Sequence, residues 1–284
     1  MNHSLQNLPW LEFVHDVAAD LSDGKLVFPT SFDITIKLRE LLRSETAGVS
    51  EITQAISADP LLAARLVQVA NSAANATAGG PVSDIRAAVV RLGLEQVRNL
   101  ALAVAMAQLV TYRQMVPYRA LGQKLLQHSR WVAGCSVILA RDHSTIDAGT
   151  AYFAGLIHDI GVFYLLYRIS RNSEFSMETQ ELHAMLREWH GQIGHAVLAT
   201  LNVPEIFQEA AAEHEALRPI HGLAQLPDLI HVANLLAEAE PVGRSPLSGG
   251  GPPTDAGHVV RMQAYRASVV SARGEIETLS RAFA

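Results

Sequence analysis

The chain has 284 residues, of which 49% are hydrophobic and 18% charged, and its formal net charge is −6. This length and composition predict a globular chain with a substantial core and exclude an intrinsically disordered protein. The acidic balance, with no basic run, argues against nucleic acid as a partner, since phosphate backbones attract cationic surfaces.

Neither a membrane span nor a disulfide is expected. The longest apolar runs, such as residues 100–107, are shorter than the roughly 18 residues that cross a bilayer. Residues 1–10 lack the pattern of a signal peptide, so we predict cytoplasmic localisation without membrane attachment. The single cysteine, Cys135, lies among apolar residues and is expected to be an inert core thiol.

The predicted fold class is all-α, because hydrophobic residues recur at intervals of three and four along most of the chain. Thr30 is expected to cap a helix over residues 30–43, and a short helix should follow over residues 50–57. Asp59 before Pro60 is typical of a helix start, and this helix should end near residue 74.

The next predicted helix begins at Ser83, after the break made by the Gly-Gly-Pro sequence at residues 79–81. Gly93 separates it from residues 94–109, which are apolar on most sides and therefore expected to be buried. The helices predicted in the second half cover residues 118–141, 146–157, 178–201, 204–215 and 227–238.

Residues 241–257 are rich in glycine, proline and serine, a composition that predicts a flexible linker to a last helix over residues 258–283. We favour ordinary packing of this last helix over a role in assembly. The expected divisions are a helical extension (1–25), an N-terminal bundle (26–112), a second bundle (113–238), a linker (239–257) and a C-terminal helix (258–284).

The pair His158-Asp159 follows an apolar helical stretch, and His128 lies thirty residues upstream. One carboxylate and two imidazoles can hold a divalent ion that acidifies its bound water. The alternative is a polar cluster without metal, in which Asp159 pairs with one of the two histidines, because a buried carboxylate needs a partner.

Six segments together resemble the HDOD domain, a subgroup of the HD metal-dependent phosphohydrolase superfamily in bacterial signalling proteins. They are Phe28-Pro-Thr, residues 56–73 with their Asp-Pro start, residues 85–93, Gln127-His-Ser129, the Gly-Leu-Ile-His-Asp-Ile-Gly of residues 155–161, and residues 190–204. The resemblance covers residues 26–238. It implies an N-terminal helical bundle packed on an HD-type bundle, and a role in signal transduction or regulation.

Carried over residue by residue, His128, His158 and Asp159 match the first three metal ligands of the HD pattern. Asn234 stands where that pattern has a distal aspartate. Asparagine offers a carbonyl oxygen without negative charge, so the resemblance implies a weaker metal site.

For a second metal, His190 matches one histidine of the subgroup that cleaves cyclic dinucleotides, and His214-Glu215 falls where that subgroup has paired histidines. If the register differs by one residue, Glu213 occupies the position of the paired histidines. As an alternative to metal binding, His190 could be a helix-packing histidine. The family pattern has no position for five other histidines, which are expected at the surface or as core residues with hydrogen bonds: His183, His195, His221, His231 and His258.

Two losses concern catalysis. Val162 follows the His-Asp-Ile-Gly sequence where the cyclic-dinucleotide enzymes have a lysine, and no Gly-Tyr-Pro triplet occurs. We therefore predict a regulatory HDOD module without efficient catalysis, whose partner is a signalling protein, a small ligand or a second copy in a homodimer. The alternative is a metal-dependent phosphohydrolase acting on a nucleotide or another phosphoester. The expected cofactor is Fe, Mn, Zn, Ni or Mg, or none.

Overall fold

The computed structural model describes residues 9–27, 38, 40–41, 49–71, 80–172, 177–216, 220–247 and 256–281. These residues are predominantly helical and include no strand, so the all-α prediction is confirmed. The helix predicted over residues 30–43, with its cap Thr30, falls almost entirely outside the described residues.

In the first half, the helices are α1 (Pro9–Ser22), α2 (Val49–Ser57), α3 (Pro60–Ala70) and α4 (Ile85–Leu109). The predicted cap of α3 is confirmed, since Asp59 Oδ1 accepts the backbone N–H groups of Leu61 and Leu62 at 2.9 and 3.1 Å. The cap of α4 is Asp84 and not the predicted Ser83, because the Asp84 carboxylate accepts the N–H of Ala87. Gly93, at φ 76°, interrupts α4 where the sequence predicted a break.

In the second half, a 3₁₀ helix (Arg113–Tyr118) leads into α5 (Arg119–His143), α6 (Ala148–Ile157), α7 (Ile160–Ser170), α8 (Thr179–Thr200), α9 (Glu205–Glu213) and α10 (Leu226–Glu238). Sequence reasoning missed α7. This helix is buried on nearly every side, so its sequence lacks the polar face that gives a helix its recognisable period.

The segment Ala148–Ser170, which comprises α6 and α7, is long and apolar enough to cross a membrane by length and composition, contrary to the expectation that no run reaches that length. However, 83% of its most apolar window is buried within the fold. Core helices pass the same test, and α6 and α7 lie at the centre of this core between α5 and α8. Cys135 of α5 is also fully buried, and burial raises the pKa of its thiol.

The C-terminal part has two helices, α11 (Ala256–Ser271) and α12 (Arg273–Arg281), where one was predicted. Both pack against α5. The fully buried Ile276 anchors α12, and Glu275 accepts hydrogen bonds from Arg141 at 3.0 and 3.2 Å.

Residues 241–247 differ from the predicted flexible linker. Leu247 is buried, and the backbone N–H of Ser245 donates to Glu238 at 3.0 Å. Gly243 lies against the ring of Trp131, where a larger residue would collide. The first part of the predicted linker is therefore packed on the core in spite of its composition.

Candidate metal centre

Five side chains from five helices and helix ends meet in the core. They are His128 in the middle of α5, His158 at the end of α6, Asp159 at the start of α7, His190 in α8 and His214 at the end of α9. Each is at most 4% exposed. We call this set the Asp159 cluster.

The short turn between α6 and α7 places His158 and Asp159 on adjacent backbone positions that face the same interior point. Oδ2 of Asp159 lies 3.4 Å from Nε2 of His158 and 3.8 Å from Nε2 of His128. The two imidazoles approach each other at 3.3 Å between their Nε2 atoms. These three residues form the group that the sequence predicted, and their ligand atoms lie within 4.8 Å of one another.

The other carboxylate oxygen faces a second histidine pair. Oδ1 of Asp159 lies 3.4 Å from Nε2 of His214 and 3.8 Å from Nε2 of His190, and these two Nε2 atoms are 3.1 Å apart. The sequence left open whether Glu213 or His214 occupies this position, and in the structure it is His214 that lies in the cluster. Glu215 lies at its exposed edge, with Oε2 3.8 Å from His190 Nε2.

A close crossing of α7 and α8 makes the approach of His190 possible. Gly161 is the second residue of α7, and a Cβ atom there would lie 2.6 Å from the backbone nitrogen of Gly194 and closer still to the carbonyl oxygen of His190. Only glycine leaves room for the α8 backbone at this point.

The second nitrogen of each ring defines its tautomer. The four Nδ1 atoms lie 2.6–2.9 Å from backbone carbonyl oxygens, those of Gly243 for His128, Gly155 for His158, Leu186 for His190 and Ala211 for His214. A carbonyl oxygen can only accept a hydrogen bond, so each Nδ1 carries the hydrogen and donates it. In the neutral form, each Nε2 atom then presents a lone pair toward Asp159.

With neutral histidine rings, the Asp159 cluster brings hydrogen-bond acceptors into contact with other hydrogen-bond acceptors. Four nitrogen lone pairs and both carboxylate oxygens converge, and only cations between them, either protons or metal ions, make these contacts favourable. Imidazoles oriented through Nδ1–H to backbone carbonyls are typical of metal ligands. The residues therefore fit a divalent metal ion.

Asn234 of α10 lies beside the first histidine pair. Its amide favours protonation of His128, yet its buried carbonyl oxygen has no hydrogen bond of acceptable geometry among the described residues. A buried acceptor without a donor is costly, and a cation at this position would satisfy it. The amide is thus where the resemblance implied it.

Two further groups support the cluster, a histidine that was expected at the surface or as a hydrogen-bonded core residue and a glycine of the predicted linker. His231 is a core residue with a hydrogen bond, since its Nδ1 donates to the carbonyl oxygen of His214 at 2.8 Å and so fixes the end of α9. Gly243 fixes the ring of His128 from a segment that had been predicted to be flexible. Neither interaction involves a side-chain pattern that a sequence motif could encode.

Burial and neighbouring charges shift the pKa values of the cluster residues in different directions. Burial lowers the pKa of His128 to about 4, although Asp159 opposes this shift. Burial also lowers the pKa of His214. For His158, burial acts in the same direction, but the charge and hydrogen bond of Asp159 outweigh it and raise the pKa. The pKa of Asp159 lies well below its usual value, because His158 and His214 together overcome the effect of burial.

The lowered pKa values of His128, His214 and Asp159 predict that acid destabilises the chelator-treated protein. Between pH 6.5 and 4, His128 is protonated in the unfolded chain but not in the folded chain. The unfolded state therefore binds more protons, and the free energy of unfolding decreases as the pH is lowered. His128 alone contributes roughly 3 kcal/mol over this interval. Urea unfolding at several pH values measures the slope. A His128→Gln variant should have a smaller slope, and an equal slope in both proteins would contradict the assignment.

Comparison with known proteins identifies the family. The HDOD domain pattern matches residues 28–217, which is more than half of the chain. The chain belongs to the HDOD family. The match includes His128, His158, Asp159, His190 and His214 and ends before Asn234 and Gly243.

Solved structures share the fold of this HDOD chain. A proposed metal-dependent phosphohydrolase from Shewanella amazonensis SB2B superposes with a TM-score of 0.73 at 21% identity, over 96% of this chain and 99% of that one. An HDOD domain protein of unknown function from Geobacter sulfurreducens has a TM-score of 0.59 at 20% identity, over 96% and 98%. A proposed signal transduction protein from Marinobacter aquaeolei VT8 has a TM-score of 0.55 at 20% identity, over 96% and 65%.

Among curated proteins, ribonuclease Y of Chlorobaculum tepidum is 26% identical over 196 residues, which are 69% of this chain and 32% of the relative. Ribonuclease Y of Chlorobium luteolum is 27% identical over 179 residues, which are 61% and 29%. The HDOD chain thus spans about a third of the length of these curated relatives.

Proposed function

We propose that the chain is a regulatory HDOD module that binds divalent transition-metal ions at the Asp159 cluster and does not turn over phosphoesters efficiently. The observation that carries this proposal is the convergence of four Nε2 atoms on the two oxygens of one buried carboxylate. Imidazole-rich sites favour transition metals over Mg²⁺ or Ca²⁺.

The protonation states support metal ions over protons. A histidine binds a metal in its neutral form, and the lowered pKa values of His128 and His214 keep both rings neutral at pH 7. The raised pKa of His158 favours its protonated form, so a metal ion competes with a proton at this ring and affinity should increase with pH.

Burial supports regulation over efficient catalysis. A bound metal ion would supply an acidified water. However, the cluster is almost fully enclosed, and a phosphoester would require the surrounding helices to open. Val162 is fully buried and supplies no charge where the cyclic-dinucleotide enzymes have a lysine, and Asn234 supplies none where they have a carboxylate. We expect a small ligand or a signalling protein, or a second copy of the chain, as the partner of this module.

Elemental analysis of protein purified without chelator tests metal binding. Wild type is expected to carry a transition metal, and His158→Ala and His190→Ala should each lose the ion at their own side of Asp159. His195→Ala is the matched control, because His195 is an exposed histidine on the same helix as His190. Wild type that stays free of metal after Mn, Fe, Zn and Ni are added back would refute the proposal.

A metal-dependent phosphohydrolase is the second candidate. One observation favours it, namely that Asp159 faces one histidine pair with each oxygen, as a carboxylate shared by two metal ions would do. The test is hydrolysis of nitrophenyl phosphate, nucleotides and a short RNA by metal-loaded protein, with Asp159→Ala as control. The RNA represents the ribonuclease Y relatives. Turnover by wild type that Asp159→Ala lacks would establish the enzyme and refute the non-catalytic module.

A further inference from the structure

A cavity of about 400 Å³ lies between α3, α4 and α5, and none of the residues of the Asp159 cluster lines it. Its volume falls within the range of small-molecule sites. The apolar part of its lining includes Leu61, Val104 and Leu126, and Leu61 is 43% exposed beside it. Apolar side chains at an open cavity wall are suited to cover the body of a ligand.

Two guanidinium groups line the same cavity, Arg65 from α3 and Arg130 from α5. Arg130 is partly buried, and the positive charge of Arg65 acts on it across the cavity. Two like charges in one cavity repel each other, so an anion between them would stabilise the pair.

The described residues do not supply that anion to Arg130. None of their carboxylates lies within ion-pair distance of its guanidinium, and its Nε is buried with no hydrogen-bond partner among them. By contrast, Arg141 on the same helix and Arg168 and Arg273 on other helices each have a carboxylate within 3.0 Å. Arg130 differs from these three arginines because it has no carboxylate partner among the described residues.

Polar amides complete the wall. Gln108 and Gln123 both line the cavity. The amide of Gln108 is held in place, since its Nε2 donates to Asp59 at 2.9 Å and the backbone oxygen of the same residue accepts from Thr111. An amide beside two guanidinium groups can recognise polar atoms on a ligand whose anionic end lies between the arginines.

We infer that this cavity binds an organophosphate of mononucleotide size, with the phosphate between Arg65 and Arg130 and the body against Leu61, Val104 and Leu126. Arginine pairs bind tetrahedral phosphate through several charge-assisted hydrogen bonds. The site adds a ligand to the regulatory module, but its binding does not depend on metal in the Asp159 cluster.

Isothermal titration of the full chain tests this inference. The protein is first treated with chelator, so that no metal ion can bind phosphate. The probes are the four common nucleoside monophosphates, glucose 6-phosphate, inorganic phosphate and adenosine. At least one organophosphate should bind, while adenosine and inorganic phosphate should bind at least about tenfold more weakly.

Arg65→Gln and Arg130→Gln should each weaken organophosphate binding by about tenfold or more. Arg86→Gln is the matched control, because Arg86 is an exposed arginine of α4 outside the cavity, and it should bind as wild type. Thermal unfolding and metal content of the variants, both expected to match wild type, separate loss of this site from misfolding and from failure of the metal proposal. Absence of organophosphate binding, or equal binding by a folded Arg130→Gln, would overturn the inference.

Discussion

Asp159→Ala is expected to remove metal from both histidine pairs at once, whereas each single histidine substitution removes it from one. Asp159 faces His158 and His128 with Oδ2, and His214 and His190 with Oδ1. In the metal-free protein its loss also removes the buried carboxylate that His158 and His214 face. Leaving these buried rings without that partner should lower the free energy of unfolding by about 1–3 kcal/mol.

Elemental analysis and urea unfolding of the chelator-treated protein measure these two effects. Asp142→Ala is the control, since Asp142 is an exposed acid whose contact with Arg141 lies at the surface, and its removal should change stability by less than about 1 kcal/mol. Retention of the metal by a folded Asp159→Ala protein would show that the carboxylate is not shared between the two pairs.

Gly161→Ala is expected to destabilise the protein by about 3 kcal/mol or more, the upper end for overpacking in a core. The added Cβ would collide with the carbonyl oxygen of His190 and the backbone nitrogen of Gly194, and neither can rotate away as a side chain would. The two helices must separate, which moves His190 away from Asp159. Urea unfolding gives the stability, and metal content reports the displacement of His190.

Gly274→Ala is a closely matched control. Gly274 is the second residue of α12, as Gly161 is the second residue of α7, but a Cβ there would meet no atom within 4 Å. Alanine should stabilise this position by up to about 1 kcal/mol through helix propensity. Equal effects of the two substitutions would contradict a close crossing of α7 and α8.

The residues that carry local signals could be predicted from the sequence. The cap Asp59 and the break at Gly93 depend on a few neighbouring residues, and the His158-Asp159 pair belongs to an ordered motif. These features need no knowledge of tertiary structure. The location of His128, His158 and Asp159 at one point followed from the resemblance, and the geometry agrees.

What the sequence could not decide depends on tertiary contacts. The choice among Glu213, His214 and Glu215 is set by where α9 ends against α8, a rotation that counting residues cannot resolve. Residues 241–247 were predicted to be flexible because glycine and proline usually indicate flexibility, yet Trp131 and His128 provide a specific surface for them. The helix α7 was missed because a helix that is buried on nearly every side has too few polar residues to reveal its period.

The location of Gly243 has a consequence for dissecting the protein into fragments. The family match ends at residue 217, but the carbonyl oxygen that orients His128 belongs to residue 243, and Asn234 and His231 also lie past that boundary. A fragment trimmed to the matched residues 28–217 would keep the imidazole of His128 while losing its acceptor, at a cost of about 1–3 kcal/mol for the orphaned N–H. The smallest fragment that keeps the ring of His128 in its observed orientation is therefore longer than the segment that matches the family.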